Sequence, residues 1–512
     1  MMDRFVPLLA LAAFTQIQGT PIALAQTAAN PYATLGVTVD SGFARSQADT
    51  WEVVLAIPVE ARGAESLRVH LNEIELAGSA AAGTESMVRV TSLRDGFVQH
   101  HTRSTLEQWG GYTAFFNGDS VLIEVIAHPG TGRNRFVVDE VEAQLEPLFP
   151  ASICGNEDDR VPSDDARVAR TQPSTCTAWL TDMASRGALT AGHCANFGTG
   201  YDQGDIIEFN VPLSTASGSL VHPPPSEQYA IDLASEQGVW GVVGNDWWSF
   251  AVFPNTETGL WPYQAQGEWF TLAQPPASPD GQTIRITGHG IDSTPQQYNS
   301  IQQTHTGDLV EAGQILRYTP DTTGGNSGSP VIWEDQGVAI GIHTNGGCTS
   351  SGGSNSGTGL ANPGLQQALA NPVGLASLGS FGGAFTDLGG GLGQGSIDAP
   401  LLTGAGDLTP GSEFRLTTAV FESLPAAIGL IVFGATQVDM PFAGGLLVPD
   451  PQVVLTGDLF TFTNGYGLQA LELVWPTGLA SGTELFVQTW IVSPNLVNES
   501  LLGSNGLRVV AP

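Results

Sequence analysis

The chain contains no lysine. Its 17 basic residues are all arginine, against 50 Asp plus Glu, which leaves a formal net charge of -33. A basic face for DNA, RNA or an anionic membrane needs many cations against phosphates, so these partners are excluded. Charge of either sign is scarce. Only 13% of the 512 residues are charged, about half of the ~25% usual in globular domains. That composition rules out a polyelectrolyte tail, and 41% apolar content with 11 Trp and 22 Phe rules out a disordered acidic chain. No run is long and apolar enough to span a bilayer. Phe5 to Phe14 and Ala426 to Ala435 are ten residues each, half of the ~20 that a helix needs. Cysteine is limited to Cys154, Cys176, Cys194 and Cys348, with no C-x-x-C spacing to hold zinc. No metal and no other cofactor is expected.

Glycine (64) and proline (32) are abundant. Without a collagen-like period, they predict short strands joined by many turns, a mostly β protein. The length corresponds to three or four domains of ~150 residues. Residues 1–25 read as a secretory signal: Arg4, then the apolar run, then the small-x-small step Ala23-Leu24-Ala25, so that a secreted, extracellular chain starts near Gln26. The competing reading is a buried N-terminal strand. In an exported chain four cysteines imply two disulfides, for which three pairings are open.

Residues 26–150 read as an N-terminal β domain. Trp51 to Ile57 is a strand ended by Pro58. Leu67, Val69 and Leu71 alternate with polar residues, and Val121 to Ala127 and Phe136 to Val141 flank a Gly130-Thr131-Gly132 turn. His100 and His101 read as surface histidines in a polar loop. Residues 151–372 hold all four cysteines and close on a helix: Asn362 as N-cap, Pro363 in the first helical position, Leu365, Ala368 and Leu369 on one face, and Pro372 as stop. Residues 373–395 form a Gly-rich linker, with eight glycines in the seventeen positions from Gly379 to Gly395. Residues 396–512 form a C-terminal β domain without cysteine or histidine, read as a structural module that binds a surface or partner. Its strands are expected at Phe414 to Phe421, Ile428 to Phe433, Val453 to Thr463 and Leu485 to Ile491. The acidic residues Asn156 to Asp159 and Asp164-Asp165 lack the spaced ligands of a calcium loop and read as a solvated face.

Two stretches carry chemistry: Leu189-Thr190-Ala191-Gly192-His193-Cys194 and Gly324-Gly325-Asn326-Ser327-Gly328-Ser329-Pro330. A serine hydroxyl becomes a nucleophile only beside a base, and histidine can take its proton near neutral pH. A tight Gly-rich turn lets backbone N–H groups, here of Gly325 and Ser327, converge on an oxyanion. A side chain at 325 would obstruct that turn.

These segments resemble the histidine and serine motifs of the trypsin/chymotrypsin-like serine endopeptidases, bacterial branch, over about residues 152–372. The resemblance implies a double antiparallel β-barrel with the site at its junction, here flanked by β-sandwich-like domains. It also implies a precursor, or zymogen, in which 26–150 serves as propeptide and is cut between Pro147 and Ser152; a permanent N-terminal module is the rival. The third catalytic member must be an acid between His193 and Ser327. Asp202, Asp205, Asp232 and Asp246 are candidates. Asp246, entering the apolar run Trp247 to Phe253, is most similar to the family's motif, with Asp232 as runner-up. By resemblance Cys176 pairs with Cys194, and Cys154 with Cys348, the latter as in lysyl endopeptidases.

The pocket signals conflict. Asp321, six residues before Ser327, matches the place of an acid that receives Arg or Lys. Thr322 and His343, with Thr344, resemble the glutamyl endopeptidases, where a histidine and a hydroxyl receive a carboxylate. No Asp or Glu occurs from Gln336 to Thr386, so the lysyl route is missing. Asp321 would repel an acidic side chain unless it points into the barrel or pairs with His343. The residues lean to an acidic P1 over a basic one, on protein or peptide substrates. The alternative function is a secreted adhesion or binding protein whose protease-like core has little activity.

Overall fold

The computed structural model describes residues 24–25, 30–144, 151–182, 187–379, 384–463, 465–497 and 500–512. The 1–23 part of the expected signal and the Pro147 and Pro150 punctuation lie outside them. The chain is mostly β. Its middle region forms two closed six-stranded antiparallel barrels, the chymotrypsin-like double barrel. The first runs in the order Val168–Gln172, Thr177–Leu180, Gly187–Thr190, Trp247–Val252, Gln228–Val239, Ile206–Glu208 and back. The second runs Val338–Gly346, Pro330–Trp333, Thr283–Gly288, Gln303–Glu311, Ile315–Tyr318, Asn355–Gly359, closing on its first strand.

Each barrel is filled by alternate apolar side chains, as strand periodicity dictates. Leu180, Ile207, Tyr229 and Phe250 fill the first. Ile284, Ile286, Leu316 and Val331 fill the second. Between them lies a third cluster, in which Trp179, Leu189 and Trp247 of the first barrel meet Ile332, Ala339 and Ile342 of the second. The helix Pro363–Ala370 closes this seam with Leu365 and Ala368, and its Asn362 cap accepts from Leu365 N at 3.0 Å, as the sequence predicts.

Residues 30–144 form two four-stranded antiparallel sheets, one of them Tyr32–Asp40, Arg135–Gln144, Ser66–Glu75, Phe116–Asn117 and the other Glu52–Glu60, Ser120–Ala127, Met87–Ser92, Val98–His101. Two expectations are corrected here. Pro58 does not end its strand: it pairs with Leu122, because Glu52–Glu60 is an edge strand where a missing N–H goes unused. His101 is not at the surface; it is buried beside Trp109, and burial pushes its pKa down to about 3. The described residues of 384–512 form a six-stranded, a four-stranded and a two-stranded antiparallel sheet.

The core of the N-terminal sheets continues into Ile206, Ala230 and Phe253 of the first barrel and on to Ala419 and Tyr466 beyond it. The described start of the Gly-rich stretch, 373–379, takes part in that continuity. Leu375 and Leu378 are fully buried in the shared core, and Phe385–Gly389 pairs with Gly506–Val510. Apolar anchors between the glycines offset the entropy that the glycines lose. Among the described residues no helix is long and apolar enough to cross a membrane.

Candidate active site

His193 sits on the single turn Gly192–Cys194 that follows the strand Gly187–Thr190. The turn is tight enough that a Cβ at Gly192 would collide with Val239 O and Asp246 Oδ1. Asp246 enters the strand Trp247–Val252 and receives the histidine twice. His193 N donates to Oδ1 at 2.9 Å, and Nδ1 faces Oδ2 at 2.6 Å. The Asp246 backbone is fixed from the other barrel: its N donates to Thr358 Oγ1 at 3.0 Å, and that hydroxyl donates to Asp246 O at 2.9 Å. The runner-up Asp232 lies elsewhere, accepting from Leu375 N and Tyr466 OH, each at 2.9 Å. Asp205 faces Arg68 of the N-terminal sheets, and Asp202 N donates to it.

Ser327 follows the turn Gly324-Gly325-Asn326. Gly325 has φ +94°, and a Cβ there would meet His289 O, so only glycine fits. Three bonds nail this loop to the first barrel. Thr177 N donates to Ser327 O at 2.9 Å, Thr177 Oγ1 to Gly325 O at 2.9 Å, and Trp179 Nε1 to Gly328 O at 2.9 Å. Thr190, three residues before His193, donates to Thr177 O at 2.8 Å, which ties the histidine's strand to the serine's anchor. The sequence reading missed Thr177, Thr190 and Thr358; a hydroxyl inside a strand has no local signature.

His193 Nε2 and Ser327 Oγ are both buried, and neither has a hydrogen-bond partner among the described residues. The N–H groups of Gly325 and Ser327 likewise have no acceptor among them. His193 held by the Asp246 carboxylate, Ser327, and two unengaged backbone N–H groups thus lie along the seam between the barrels. Cys176 and Cys194 lie beside His193, but their sulfurs form a disulfide, so the trio is a strut and not a metal cage. The second disulfide joins Cys154 to Cys348 with Cα atoms 4.6 Å apart.

The pocket residues separate. His343 is buried on the strand Val338–Gly346, and its Nδ1 lies 2.7 Å from Tyr318 OH. Burial, with His193 nearby, pushes its pKa down to about 3. Thr322 Oγ1 is buried without a partner among the described residues. Thr344 Oγ1 donates to Asn345 Oδ1 at 2.6 Å. Asp321 is not an open acid at a pocket base, nor does it pair with His343. Its Oδ1 accepts from Cys154 N at 2.7 Å and its Oδ2 from Asp159 N at 2.9 Å, with His305 alongside. The buried Asp321 carboxylate needs donors, and the segment entering the first barrel supplies them as backbone N–H groups.

No family model and no curated protein matches the chain. Solved structures do. A Glu endopeptidase in complex with MPD is 20% identical, with TM-score 0.33, over 43% of this chain and 98% of that one. The thermostable serine protease AL20 from an extremophilic microorganism is 16% identical, with TM-score 0.31, over 40% of this chain and 96% of that one. The protease Anisep from Arthrobacter nicotinovorans is 15% identical, with TM-score 0.31, over 44% of this chain and 98% of that one.

Proposed function

We propose that the chain is an exported serine endopeptidase acting through His193, Asp246 and Ser327. The observation that carries the reading is the His193 Nδ1–Asp246 Oδ2 contact of 2.6 Å with Nε2 and Ser327 Oγ left unengaged in the same seam. Nδ1–H donates to the carboxylate, so Nε2 is a base. Ser327 Oγ attacks the peptide carbonyl carbon while its proton passes to Nε2. The carbonyl oxygen, now an anion, is received by the N–H groups of Gly325 and Ser327. The imidazolium, held by Asp246, returns the proton to the leaving amine, and the C–N bond breaks. Water repeats the sequence on the acyl-enzyme and frees the acid.

For P1, the reading remains an acidic side chain over a basic one, supported by the state of two residues. Asp321 is consumed by backbone amides, which removes the acid that Arg would need. His343, its Nδ1 2.7 Å from Tyr318 OH, is the second: in its imidazolium form it would attract a substrate carboxylate.

The strand Val338–Gly346 also carries an extended segment at its end. Leu24 and Ala25 pair antiparallel with Gly346 and Asn345, just beyond His343, as an extended peptide would, and Ser327 and His193 are enclosed. This pair lies before the expected signal cleavage, so export would remove it. The N-terminal sheets are bound more deeply. Phe115 exchanges two 2.9 Å hydrogen bonds with the Gln228 side chain, and Tyr32 OH meets His222 Nε2 at 3.0 Å. That contact favours a module that stays docked even when the connection at 147–152 is cut. A binding role fits the C-terminal hairpin Gln437–Phe442 with Gly445–Pro449, which exposes Val438, Met440, Phe442 and Leu446. It is an added function of the enzyme in this reading, and the main one if the core is inactive. Ser327→Ala decides between them: peptide hydrolysis should fall by roughly 10⁴-fold or more. Unchanged hydrolysis would overturn the enzyme reading.

A further inference from the structure

The Ser327 loop is held from a second side, by the segment that leads into the first barrel. Ala151 and Ser152 pair antiparallel with Thr323 and Thr322. Asp321 takes the amides of Cys154 and Asp159. Arg160 then turns inward, with only 2% of its side chain exposed. Its Nη1 donates to Thr323 Oγ1 at 2.7 Å and to Asn326 Oδ1 at 3.3 Å, and its Nη2 donates to Ile291 O at 3.0 Å. Asp158 meets the charge, with Nε donating to its Oδ1 at 2.9 Å. Asn326 Oδ1 also accepts from Thr323 N at 2.9 Å, so Thr323, Asn326 and the guanidinium form one closed network. The packing is tight: a Cβ at Gly290 would collide with Asn326 Oδ1, Arg160 Nη1 and Thr323 Oγ1 together.

We propose that Arg160 is a positioning residue for the oxyanion donors, acting through Asn326. Asn326 lies between Gly325 and Ser327, the two residues whose N–H groups would receive the oxyanion. Fixing its side chain fixes both flanking peptide planes. The planar fork binds Thr323, Asn326, Ile291 and Asp158 at once, a spread that the single ammonium of a lysine cannot copy. Because Asp158 neutralises the cation, the action is geometric. The network is complete in the uncut chain, so the loop needs no new terminal amine to become ordered. Activation, where it occurs, is then uncovering of the site and not its construction.

This inference rests on the protease reading, and the experiment separates the two. Wild type, Arg160→Gln, Arg160→Lys and Asn326→Ala proteins are titrated with a fluorophosphonate, then assayed per labelled site for kcat, KM and affinity for a peptide boronate. Loss of a properly aimed oxyanion donor costs about 10²–10³-fold, and mis-aiming should cost less. Both Arg160 variants are expected to lose about 10–100-fold in kcat and in boronate affinity, with KM within about threefold. Arg160→Gln/Asn326→Ala should be no slower than Asn326→Ala alone, since both act on one network. Full kcat per labelled site in Arg160→Lys, or losses that simply multiply in the double variant, would overturn the inference. Arg160→Lys keeps the stem and charge, so it serves if Arg160→Gln does not fold. A wild type that never labels at Ser327 would instead overturn the protease reading.

Discussion

Replacing Asp246 by Asn tests how the histidine is aimed. The side chain has two obligations: Oδ1 accepts His193 N–H at 2.9 Å, and Oδ2 accepts from Nδ1 at 2.6 Å. Asn has one oxygen. If that oxygen keeps the backbone bond, the amide NH2 faces Nδ1 and donates to it. Nδ1 must then be the acceptor, and the ring proton moves to Nε2. A protonated Nε2 cannot take the proton of Ser327. If the amide flips, its NH2 opposes the buried His193 N–H, and two donors face each other at a cost of about 1–3 kcal/mol. The first arrangement is cheaper, so the protein folds with the wrong tautomer. The expected loss is about 10⁴-fold in kcat, or about 5.5 kcal/mol of barrier. KM should stay within a few-fold, because no substrate contact changes. The assay is hydrolysis of a fluorogenic peptide pool by Asp246→Asn and Asp232→Asn proteins matched for thermal midpoint. An Asp246→Asn enzyme within tenfold of wild type, or a larger loss in Asp232→Asn, would refute the reasoning.

Three further outcomes are expected. His343 is neutral when the pocket is empty, since burial pushes its pKa down to about 3; a bound carboxylate favours its protonated form, so KM for a P1 Glu peptide should fall from pH 8 to pH 6, an effect lost in His343→Ala and absent for a P1 Leu peptide, and clean cleavage after Arg alone would sink the acidic preference. Removing the Cys154–Cys348 bridge, with a sequence separation of 194 residues, should destabilise the fold by up to about 5 kcal/mol; denaturant midpoints of the Cys154→Ala/Cys348→Ala protein measure it, and no shift would contradict the loop-entropy account. Asp205 is buried and its pKa is pushed up to about 8, the Arg68 guanidinium only partly opposing this. Its folded pKa is above the unfolded one, so its contribution is full below pH ~4 and is lost as pH rises towards 8, with a slope up to about 1.4 kcal/mol per pH unit. The wild-type minus Asp205→Asn difference in unfolding free energy should therefore fall between pH 5 and 8, and a flat difference would refute the assignment.

What the sequence reveals here is what short-range chemistry encodes. The helix Pro363–Ala370 is legible because Asn362 and Pro363 satisfy its first turn within a few residues of chain. Strands such as Ser66–Glu75 are legible because Leu67, Val69 and Leu71 share one apolar buried face and so recur at every second position. Gly325 is legible because the turn before Ser327 admits no side chain. Long-range partners are not. Arg160 reaches Asn326 across 166 positions, and Thr358 reaches Asp246 across 112. Asp321 misleads because its distance from Ser327 suggests a pocket, whereas its partners come from Cys154 and Asp159. In the Gly-rich stretch, counting glycines measures entropy lost, while the burial of Leu375 and Leu378 in the shared core is set by distant partners.

The most direct test of the central claim is to treat the secreted protein, after natural processing, with a fluorophosphonate and to locate the adduct by peptide mass spectrometry. The account predicts one stoichiometric adduct on Ser327, formed in parallel with loss of peptidase activity and greatly slowed in Asp246→Asn. Active protein with Ser327 unmodified, or an adduct on another serine, would contradict it.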